Sequence, residues 1–219
     1  MPAPQVKICG LRTAEALEAA IRARADHAGL VFFPPSPRNV SLPLAAELCE
    51  RSQGRIGRIG LFVDPDEATL ADALAAARLD VIQLHGKETP ERAAQVRARF
   101  GLPVWKALPI ASASDVTRAH DYAGAVDRVL FDARTPPGSA LPGGMGLSFD
   151  WNLVANWRGP VAWGLAGGLT PDNVAEAARL TGAPLVDTSS GVESAPGVKD
   201  VDKVAAFCEA ARNSRAAPR

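Results

Sequence analysis

The chain has 219 residues, of which 47% are hydrophobic and 22% charged, and its 24 basic and 24 acidic side chains give a formal net charge of +0. This composition is ordinary for a globular domain, and the balanced charge offers no attraction for nucleic acid or an anionic membrane surface. No apolar run approaches the roughly 18 residues that a membrane-spanning helix needs, and the amino terminus lacks the apolar core of a signal peptide. Three cysteines without metal-ligand spacing predict reduced thiols in a cytoplasmic protein.

Strand and helix signals alternate along the first half of the chain. Short apolar runs predict strands at residues 5–9, 27–33, 58–63 and 81–84. Helices are predicted at residues 13–25, 44–53, 64–77 and 89–100, with Thr13, Asp64 and Thr89 as capping residues. Residues 34–43 are predicted to form a rigid loop, because their prolines fix φ and remove hydrogen-bond donors.

The alternation continues through the second half. Strands are predicted at residues 104–108, 128–132, 161–166 and 185–188, and helices at residues 114–120, 149–155, 170–180 and 200–212. Thr170 and Pro171 are expected to cap and open the seventh helix. Residues 133–148 form the longest loop, and loops of this length in compact domains are usually functional or disordered. Residues 213–219 are expected to be a frayed carboxyl-terminal tail.

Eight strands that alternate with eight helices predict the α/β class and a parallel sheet. Eight units favour closure into a single (β/α)8 (TIM) barrel, expected over residues 1–212. An open doubly wound sheet is the structural alternative, but such a sheet usually has fewer strands and carries a GxGxxG turn that this sequence lacks. In a barrel the active site lies at the carboxyl ends of the strands.

Two glycine-bearing strand ends follow the last two predicted strands. Gly167 and Gly168 follow the seventh, and Ser190 and Gly191 follow the eighth. Outward-pointing backbone N–H groups at such turns favour an anion, most often phosphate. A glycine-rich turn that merely connects two elements is the alternative for each one alone.

A thiol and a carboxyl group are the candidate catalytic groups. Cys9 ends the first strand, and Lys7 is expected on the same face, where an ammonium group would favour the reactive thiolate. Asp132 leaves an apolar strand, so desolvation can keep it protonated as a general acid. The structural alternatives are an inert buried cysteine and a capping aspartate.

Three further polar residues lie at or near strand ends. Arg38, held between prolines, can meet a carboxylate or phosphate with two hydrogen bonds, although solvated loop arginines are common. Asp187 occupies the eighth strand in the position that Asp132 has on the sixth, and its role is ambiguous from position alone. His85 is either catalytic or structural. No metal-ligand cluster and no Ser-His-Asp nucleophile elbow is visible in the sequence.

The ordered set of motifs closely resembles the phosphoribosylanthranilate isomerase family of tryptophan biosynthesis. The resemblance covers nearly the whole chain and includes KICGLRT at residues 7–13, FPPSPR at 33–38, QLHG at 83–86, LFD at 130–132, GGMG at 143–146, LAGGL at 165–169, VDTSSGVE at 186–193 and PGVKD at 196–200. The family fold is a (β/α)8 barrel, in agreement with the count of elements.

The resemblance implies an Amadori rearrangement without a cofactor, carried out by a monomer or homodimer. Asp132 would protonate the furanose oxygen and Cys9 would remove the C2′ proton. Arg38 would hold the anthranilate carboxylate and Asp187 would orient a sugar hydroxyl. Phosphate would lie on the turns of the last two strands, with a third glycine pair closing over it; the residues implied are Gly143, Gly144, Gly167, Gly168, Ser190 and Gly191.

The sequence departs from the family pattern at Met145, where the family usually has threonine or serine. Loss of this hydroxyl is expected to change loop order or affinity rather than abolish activity.

Two rival functions remain. An aldolase acting on another phosphosugar would need a Schiff-base lysine, for which Lys106 is the candidate. A catalytically inactive sugar-binding barrel would lack the acid or the base, whereas both are present.

Overall fold

Eight parallel strands form a closed barrel in the computed structural model, which describes residues 3–136, 138–139, 143–155 and 157–214. Each strand pairs with its neighbour in the chain, and the first pairs with the eighth to close the ring. The strands are β1 (Gln5–Cys9), β2 (His27–Phe32), β3 (Gly57–Phe62), β4 (Val81–Leu84), β5 (Val104–Ile110), β6 (Arg128–Ala133), β7 (Ala162–Leu165) and β8 (Leu185–Thr188). This confirms the predicted (β/α)8 barrel.

Helices cover the outside of the barrel and bury their apolar faces against the strands. They are α1 (Ala14–Arg22), α2 (Leu42–Ser52), α3 (Glu67–Ala76), α4 (Pro90–Phe100), α5 (Ala113–Thr117), α6 (Val174–Thr181) and α7 (Val201–Arg212). The predicted caps Thr13 and Thr89 are confirmed, since each side chain accepts a hydrogen bond from the backbone N–H three residues later. No helix in the described part of the chain has the length and apolar character to cross a membrane.

The predicted helix at residues 149–155 is wrong. Only a 3-10 turn, Trp151–Leu153, lies there, so among the described residues β6 and β7 have no α-helix between them. Asp150 Oδ1 accepts hydrogen bonds from both the backbone N and the side-chain Nδ2 of Asn152. Such local side-chain bonds compete with helical ones. The helix predicted at residues 114–120 is likewise shorter, and continues as the 3-10 helix Arg118–Tyr122.

Two predicted caps are also wrong. Asp66, not Asp64, caps α3. Asp64 has a left-handed backbone with φ of 46°, and its Oδ1 accepts a 2.6 Å hydrogen bond from the backbone N of Lys87 in the next loop. Thr170 does not cap α6, which begins three residues later than expected. Asn173 Oδ1 instead accepts from the backbone N of Thr170, which keeps this segment a turn.

The chain after β8 contains an antiparallel hairpin that the sequence did not predict. A 3-10 turn, Ser190–Val192, leads into β9 (Glu193–Ala195) and β10 (Val198–Lys199), and α7 follows. Helix α7 ends at Arg212, and the next two residues form a turn. The rest of the predicted frayed tail lies outside the described residues, so that expectation stays a prediction.

The barrel interior is filled in layers. An apolar cluster toward the amino ends consists of Ile59, Val81, Trp105, Ala107, Leu130 and Leu185. A smaller cluster at the carboxyl ends contains Cys9, Val31 and Leu61. Because strand side chains alternate between inside and outside, the last inward residue of each strand faces the carboxyl mouth of the barrel.

His27 lies at the start of β2 and packs edge-on against the ring of Trp105, with ring centroids 5.2 Å apart. Neither ring nitrogen has a hydrogen-bond partner among the described residues. Burial lowers the pKa of His27 to about 4, and the nearby charges of Lys7 and Arg128 act in the same direction. The folded protein therefore holds this imidazole neutral.

We predict that His27 makes the fold acid-sensitive. Between pH 6.5 and pH 4 the unfolded chain binds a proton at His27 that the folded protein does not, so stability falls as the pH falls through this window. The stability lost is up to about 3 kcal/mol, at about 1.4 kcal/mol per pKa unit. Urea unfolding of the wild type and of His27→Leu at both pH values checks this, and equal losses in the two proteins would contradict it.

Candidate active site

One cavity of about 780 Å³ opens at the carboxyl ends of the strands. All ten residues that the sequence nominated for catalysis or substrate binding line it, together with His85 and Met145; the ten are Cys9, Arg38, Asp132, Gly143, Gly144, Gly167, Gly168, Asp187, Ser190 and Gly191. The structure therefore brings together residues from six different parts of the chain.

Cys9 is the buried last residue of β1, and its thiol faces the cavity. Gly29 on β2 makes room for it, since a Cβ at that position would lie 2.9 Å from Cys9 Sγ. Burial raises the pKa of the Cys9 thiol, and the opposing attraction of Lys7 is the smaller influence. The charge of Lys7 thus favours the thiolate, as expected, but desolvation has the larger effect and the pKa is raised overall.

Lys7 forms a buried ion pair with Asp187 across the closing seam of the barrel. The two residues are register partners on β1 and β8, and Lys7 Nζ donates to both carboxylate oxygens at 2.9 and 3.0 Å. Burial opposes the charge of Lys7, but the carboxylate and Cys9 hold its pKa above the ordinary value. The pair thus fixes a carboxylate in the cavity beside the thiol.

Asp132 lies near the end of β6, and its two carboxylate oxygens have different surroundings. Oδ1 accepts a 2.8 Å hydrogen bond from the backbone N of Ala133, whereas Oδ2 lies 3.1 Å from Nε2 of His85. A Cβ on Gly143 would come within 3.0 Å of the same Oδ2. His85, whose role the sequence left open, is thus in direct contact with the candidate acid.

Arg38 is buried and already held on one edge by a carboxylate. Its Nε and Nη2 donate to the two oxygens of Glu193 at 2.8 Å each, and Nη2 also donates to the carbonyl O of Gly144 at 3.0 Å. Nη1 has no hydrogen-bond partner among the described residues. The donors left for a ligand are therefore those of Nη1, with Nη2 available if Gly144 moves.

The glycine turns after β7 and β8 line the same cavity, and a Cβ on Gly167 would lie 3.0 Å from Asp132 Oδ1. Gly167 and Gly168 have φ of 83° and 63°, a left-handed conformation that costs glycine little. A Cβ on Gly167 would lie 2.5 Å from the backbone N of Ala133. The 3-10 turn that begins at Ser190 lies beside them, so backbone from two strand ends frames one concave surface without side chains in the way.

The nearest neighbours of Gly143 and Gly144 are side chains and not the two glycine turns. Gly143 faces Asp132 and His85, and Gly144 faces Arg38. Residues later in the same loop are nearer the turns: a Cβ on Gly146 would lie 3.8 Å from Ser190 Oγ, and one on Gly168 would lie 2.8 Å from the carbonyl O of Leu147. A phosphate role for Gly143 and Gly144 therefore stays a prediction.

A family model described as N-(5′-phosphoribosyl)anthranilate (PRA) isomerase matches residues 6–210. The chain belongs to this family. Among curated relatives, the N-(5′-phosphoribosyl)anthranilate isomerase of Paramagnetospirillum magneticum is 54% identical over 211 residues, which cover 96% of this chain and 98% of the relative. The described motifs thus belong to one family over almost the whole length.

Solved structures of the PRA isomerase family share the fold. Phosphoribosyl anthranilate isomerase from Thermotoga maritima superposes with a TM-score of 0.86 at 32% identity, covering 96% of this chain and 99% of that chain. A second structure, in complex with reduced 1-(o-carboxyphenylamino)-1-deoxyribulose 5-phosphate, has a TM-score of 0.84 at 31% identity, covering 96% and 99%.

Lys106, the candidate Schiff-base lysine of the rival aldolase, is absent from the cavity lining of this PRA isomerase family member. Its Nζ is buried and donates to the carbonyl O atoms of Gly86 and Ala107, with Glu88 Oε2 at 3.2 Å. Glu88 in turn accepts from the backbone N atoms of Asp64 and Gly86. Lys106 therefore holds the loop that carries His85 in place. Because its amine does not line the cavity, the aldolase alternative has no candidate nucleophile there.

The sequence reasoning missed two charged residues of the site, Glu193 and Lys199. Both stand in the quoted family motifs, yet no role was assigned to them. Pro196 and Gly197, which separate them, are a turn signal that would have predicted the hairpin and brought the two charges together. The pairing of Glu193 with Arg38, 155 residues away in the chain, has no local signal.

We predict that Lys7→Met lowers the free energy of unfolding by about 3–5 kcal/mol, because it leaves the Asp187 carboxylate buried without its partner. Arg51→Met is the matched control: it breaks an exposed ion pair with Glu47 and should cost at most about 1 kcal/mol. The double variant Lys7→Met/Asp187→Asn should be more stable than Lys7→Met. Denaturant unfolding measures all three, and a Lys7→Met variant as stable as the wild type would refute the prediction.

Proposed function

We propose that this chain converts N-(5′-phosphoribosyl)anthranilate to 1-(2-carboxyphenylamino)-1-deoxyribulose 5-phosphate, a step of tryptophan biosynthesis, with Asp132 as general acid and Cys9 as general base. The observation that carries the proposal is that both groups line one cavity together with a buried arginine and the glycine turns. An acid, a base and two anion sites match a substrate with a sugar between a carboxylate and a phosphate.

The reaction needs one proton donated and one removed on the sugar. Asp132 gives its proton to the furanose ring oxygen, the C1′–O bond breaks, and C1′ and the nitrogen form a Schiff base. Cys9 then takes the C2′ proton, and the electrons of that C–H bond form the enolamine. Transfer of the C2′ hydroxyl proton to C1′ gives the ketone. The product is an isomer of the substrate, so no oxidant, reductant or second substrate is consumed.

The raised pKa of Cys9 bears on how the base works. Burial makes the thiol the main resting form, so the reactive thiolate is a minor species near neutral pH. The neighbouring Lys7 ammonium reduces this cost and stabilises the thiolate when it forms. We infer that the enzyme retains a desolvated base, which is more basic toward carbon than an exposed thiolate. The buried cations Lys7 and Lys199 limit the energetic cost of forming that thiolate.

Anion binding at both ends would orient the substrate. Backbone N–H groups of Gly167, Gly168 and Gly191, with Ser190, would bind the phosphate, and Arg38 would bind the anthranilate carboxylate. Asp187 would accept a hydrogen bond from a sugar hydroxyl, since a carboxylate can accept more hydrogen bonds than the two it receives from Lys7. Met145 is about half exposed at the rim, so its side chain would affect the loop and not the reacting atoms.

The proposal extends to assembly and location. The phosphoribosylanthranilate isomerase of Thermotoga maritima, 32% identical to this chain, is dimeric and has also been solved as monomers, which supports activity as a monomer or as a homodimer. The three cysteines are free and buried, which supports the cytoplasmic location proposed from the sequence.

We predict that Cys9→Ala and Asp132→Asn each reduce kcat by about 10²–10⁴-fold, the range typical of losing a general base or acid. Consumption of the fluorescent anthranilate substrate gives the rate, and circular dichroism checks folding. Cys49→Ala is the matched control, because that buried thiol lies on helix α2 and should leave kcat close to wild type. A folded Cys9→Ala or Asp132→Asn variant with near-native kcat would remove that residue from the mechanism.

We predict that Arg38→Ala raises KM at least tenfold with a smaller change in kcat, because it removes about 1.4 kcal/mol or more of carboxylate binding. Arg55→Ala is the control, since that exposed arginine pairs, among the residues the structure describes, with Glu18 and nearby backbone carbonyls and lies outside the cavity lining. Steady-state kinetics separates the two constants, and an unchanged KM and kcat in Arg38→Ala would refute the anion role.

A further inference from the structure

The hairpin that follows β8 places a second buried cation beside the arginine of the candidate carboxylate site. Lys199 Nζ donates to Glu193 Oε1 at 2.7 Å, on the same carboxylate that holds Arg38. The side chains of all three residues are more than nine-tenths buried. The cluster therefore contains two positive charges and one negative charge, shielded from water.

The charge balance of this cluster matters for an anionic ligand. Glu193 fixes the Nε–Nη2 edge of Arg38 with two parallel hydrogen bonds, which orients the guanidinium but also cancels its charge. A neutral pair would attract a second carboxylate only weakly. Lys199 offsets the glutamate, so the cluster keeps one net positive charge next to the free Nη1 donors.

Lys199 also connects this cluster to the end of β1. Its Nζ donates to the backbone O of Ser189 at 2.9 Å and lies 3.2 Å from Ser189 Oγ, which itself donates to the backbone O of Cys9 at 3.1 Å. A hydrogen-bonded path thus runs from the arginine to the strand end that carries the candidate base. The position of the bound carboxylate is thereby tied to the position of the thiol.

We propose that Glu193 and Lys199 are positioning residues for substrate recognition: the glutamate orients Arg38, and the lysine restores the positive charge with which Arg38 attracts the anthranilate carboxylate. This inference rests on the proposed function, and in particular on the role of Arg38. It assigns a role to the β9–β10 hairpin, which otherwise only connects β8 to α7.

The test compares two ligands that differ in one group. They are reduced 1-(o-carboxyphenylamino)-1-deoxyribulose 5-phosphate and the same compound without its carboxyl group. In Lys199→Met the Kd of the carboxylated ligand should rise about tenfold, equivalent to about 1.4 kcal/mol, while the Kd of the other ligand stays within about twofold. Lys199→Gln serves if the methionine variant does not fold. If Lys199 had only a role in general stability, the variant would bind both ligands more weakly by the same factor, and that result would overturn the proposal.

The double variant Glu193→Gln/Lys199→Met tests the charge balance itself. Glutamine keeps an amide oxygen that can accept a hydrogen bond from Arg38, so it retains part of the orientation while it removes the glutamate charge. Arg38 then has its own positive charge, so the double variant should bind the carboxylated ligand more tightly than Lys199→Met does. Equal or weaker binding would overturn the charge argument. Steady-state kinetics on Lys199→Met should show the same split, with KM raised and kcat within about threefold.

Two controls separate this inference from the proposed function. Lys203→Met is matched, because Lys203 Nζ donates to the backbone O of Glu193 at 2.9 Å and not to its carboxylate, and it should leave both Kd values unchanged. If Arg38→Ala does not weaken binding of the carboxylated ligand, the proposed carboxylate site is wrong. If Arg38→Ala weakens that binding and Lys199→Met does not, the carboxylate site stands and the role of Lys199 is refuted.

Discussion

The ion pair between Lys7 and Asp187 forms where the first and last strands of the barrel meet. Closure of the barrel makes these residues register partners. Because both side chains are buried, either charge would be strongly destabilising without the other. Cys9 lies two residues after Lys7 on the same face of β1, so barrel closure also fixes the thiol next to a cation and a carboxylate. The location of the site therefore depends on this seam.

Three buried lysines show how the carboxyl end of the barrel is held in place. Lys7 binds Asp187 at the seam, Lys106 lies against Glu88 under the loop after β4, and Lys199 binds Glu193 in the hairpin after β8. Each carboxylate also contacts the cavity or holds a loop beside it. Oxygen acceptors therefore satisfy the buried charges, and the groups that line the cavity have little freedom to move.

Glycine residues have a different role at the carboxyl end of the barrel, where they leave space for neighbouring groups. Where side chains must approach a ligand, such as at Cys9 and Arg38, small neighbours leave them room. Where the proposal places the phosphate, the turns after β7 and β8 present no side chain at Gly167 and Gly168. The cavity thus combines polar side chains with exposed glycine backbone, as the proposed substrate requires.

The sequence predicted the barrel well because alternation of apolar runs and capped helices is a local signal. The bounds of β4 and β8 agree with the structure to the residue, and Thr13 and Thr89 cap as expected. The errors at Asp64 and Thr170 both come from hydrogen bonds to a neighbouring loop or turn. The side chain of Asp64 accepts from the backbone N of Lys87, whereas the backbone N of Thr170 donates to the side chain of Asn173.

The site was predictable only as far as position in a barrel strand determines it. The rule that strand ends form the active site nominated Cys9, Asp132 and Arg38, which line one cavity, and the family resemblance added the role of Arg38 toward the anthranilate carboxylate. It could not supply the contact of Arg38 with Glu193, because that contact joins distant segments and depends on the unpredicted hairpin. Nor could it supply the pKa of Cys9, where burial and a nearby cation act in opposite directions and only the geometry shows which is larger.

A crystal structure with reduced 1-(o-carboxyphenylamino)-1-deoxyribulose 5-phosphate bound would show whether the thiol and the carboxyl group act on the same sugar. We expect the sulfur of Cys9 within about 3.5 Å of the C2′ carbon, the separation expected for reacting atoms. We also expect the Asp132 carboxyl on the same sugar, with the phosphate on the turns after β7 and β8. A bound ligand whose sugar lies out of reach of the sulfur, or whose phosphate lies away from both glycine turns, would contradict this expectation.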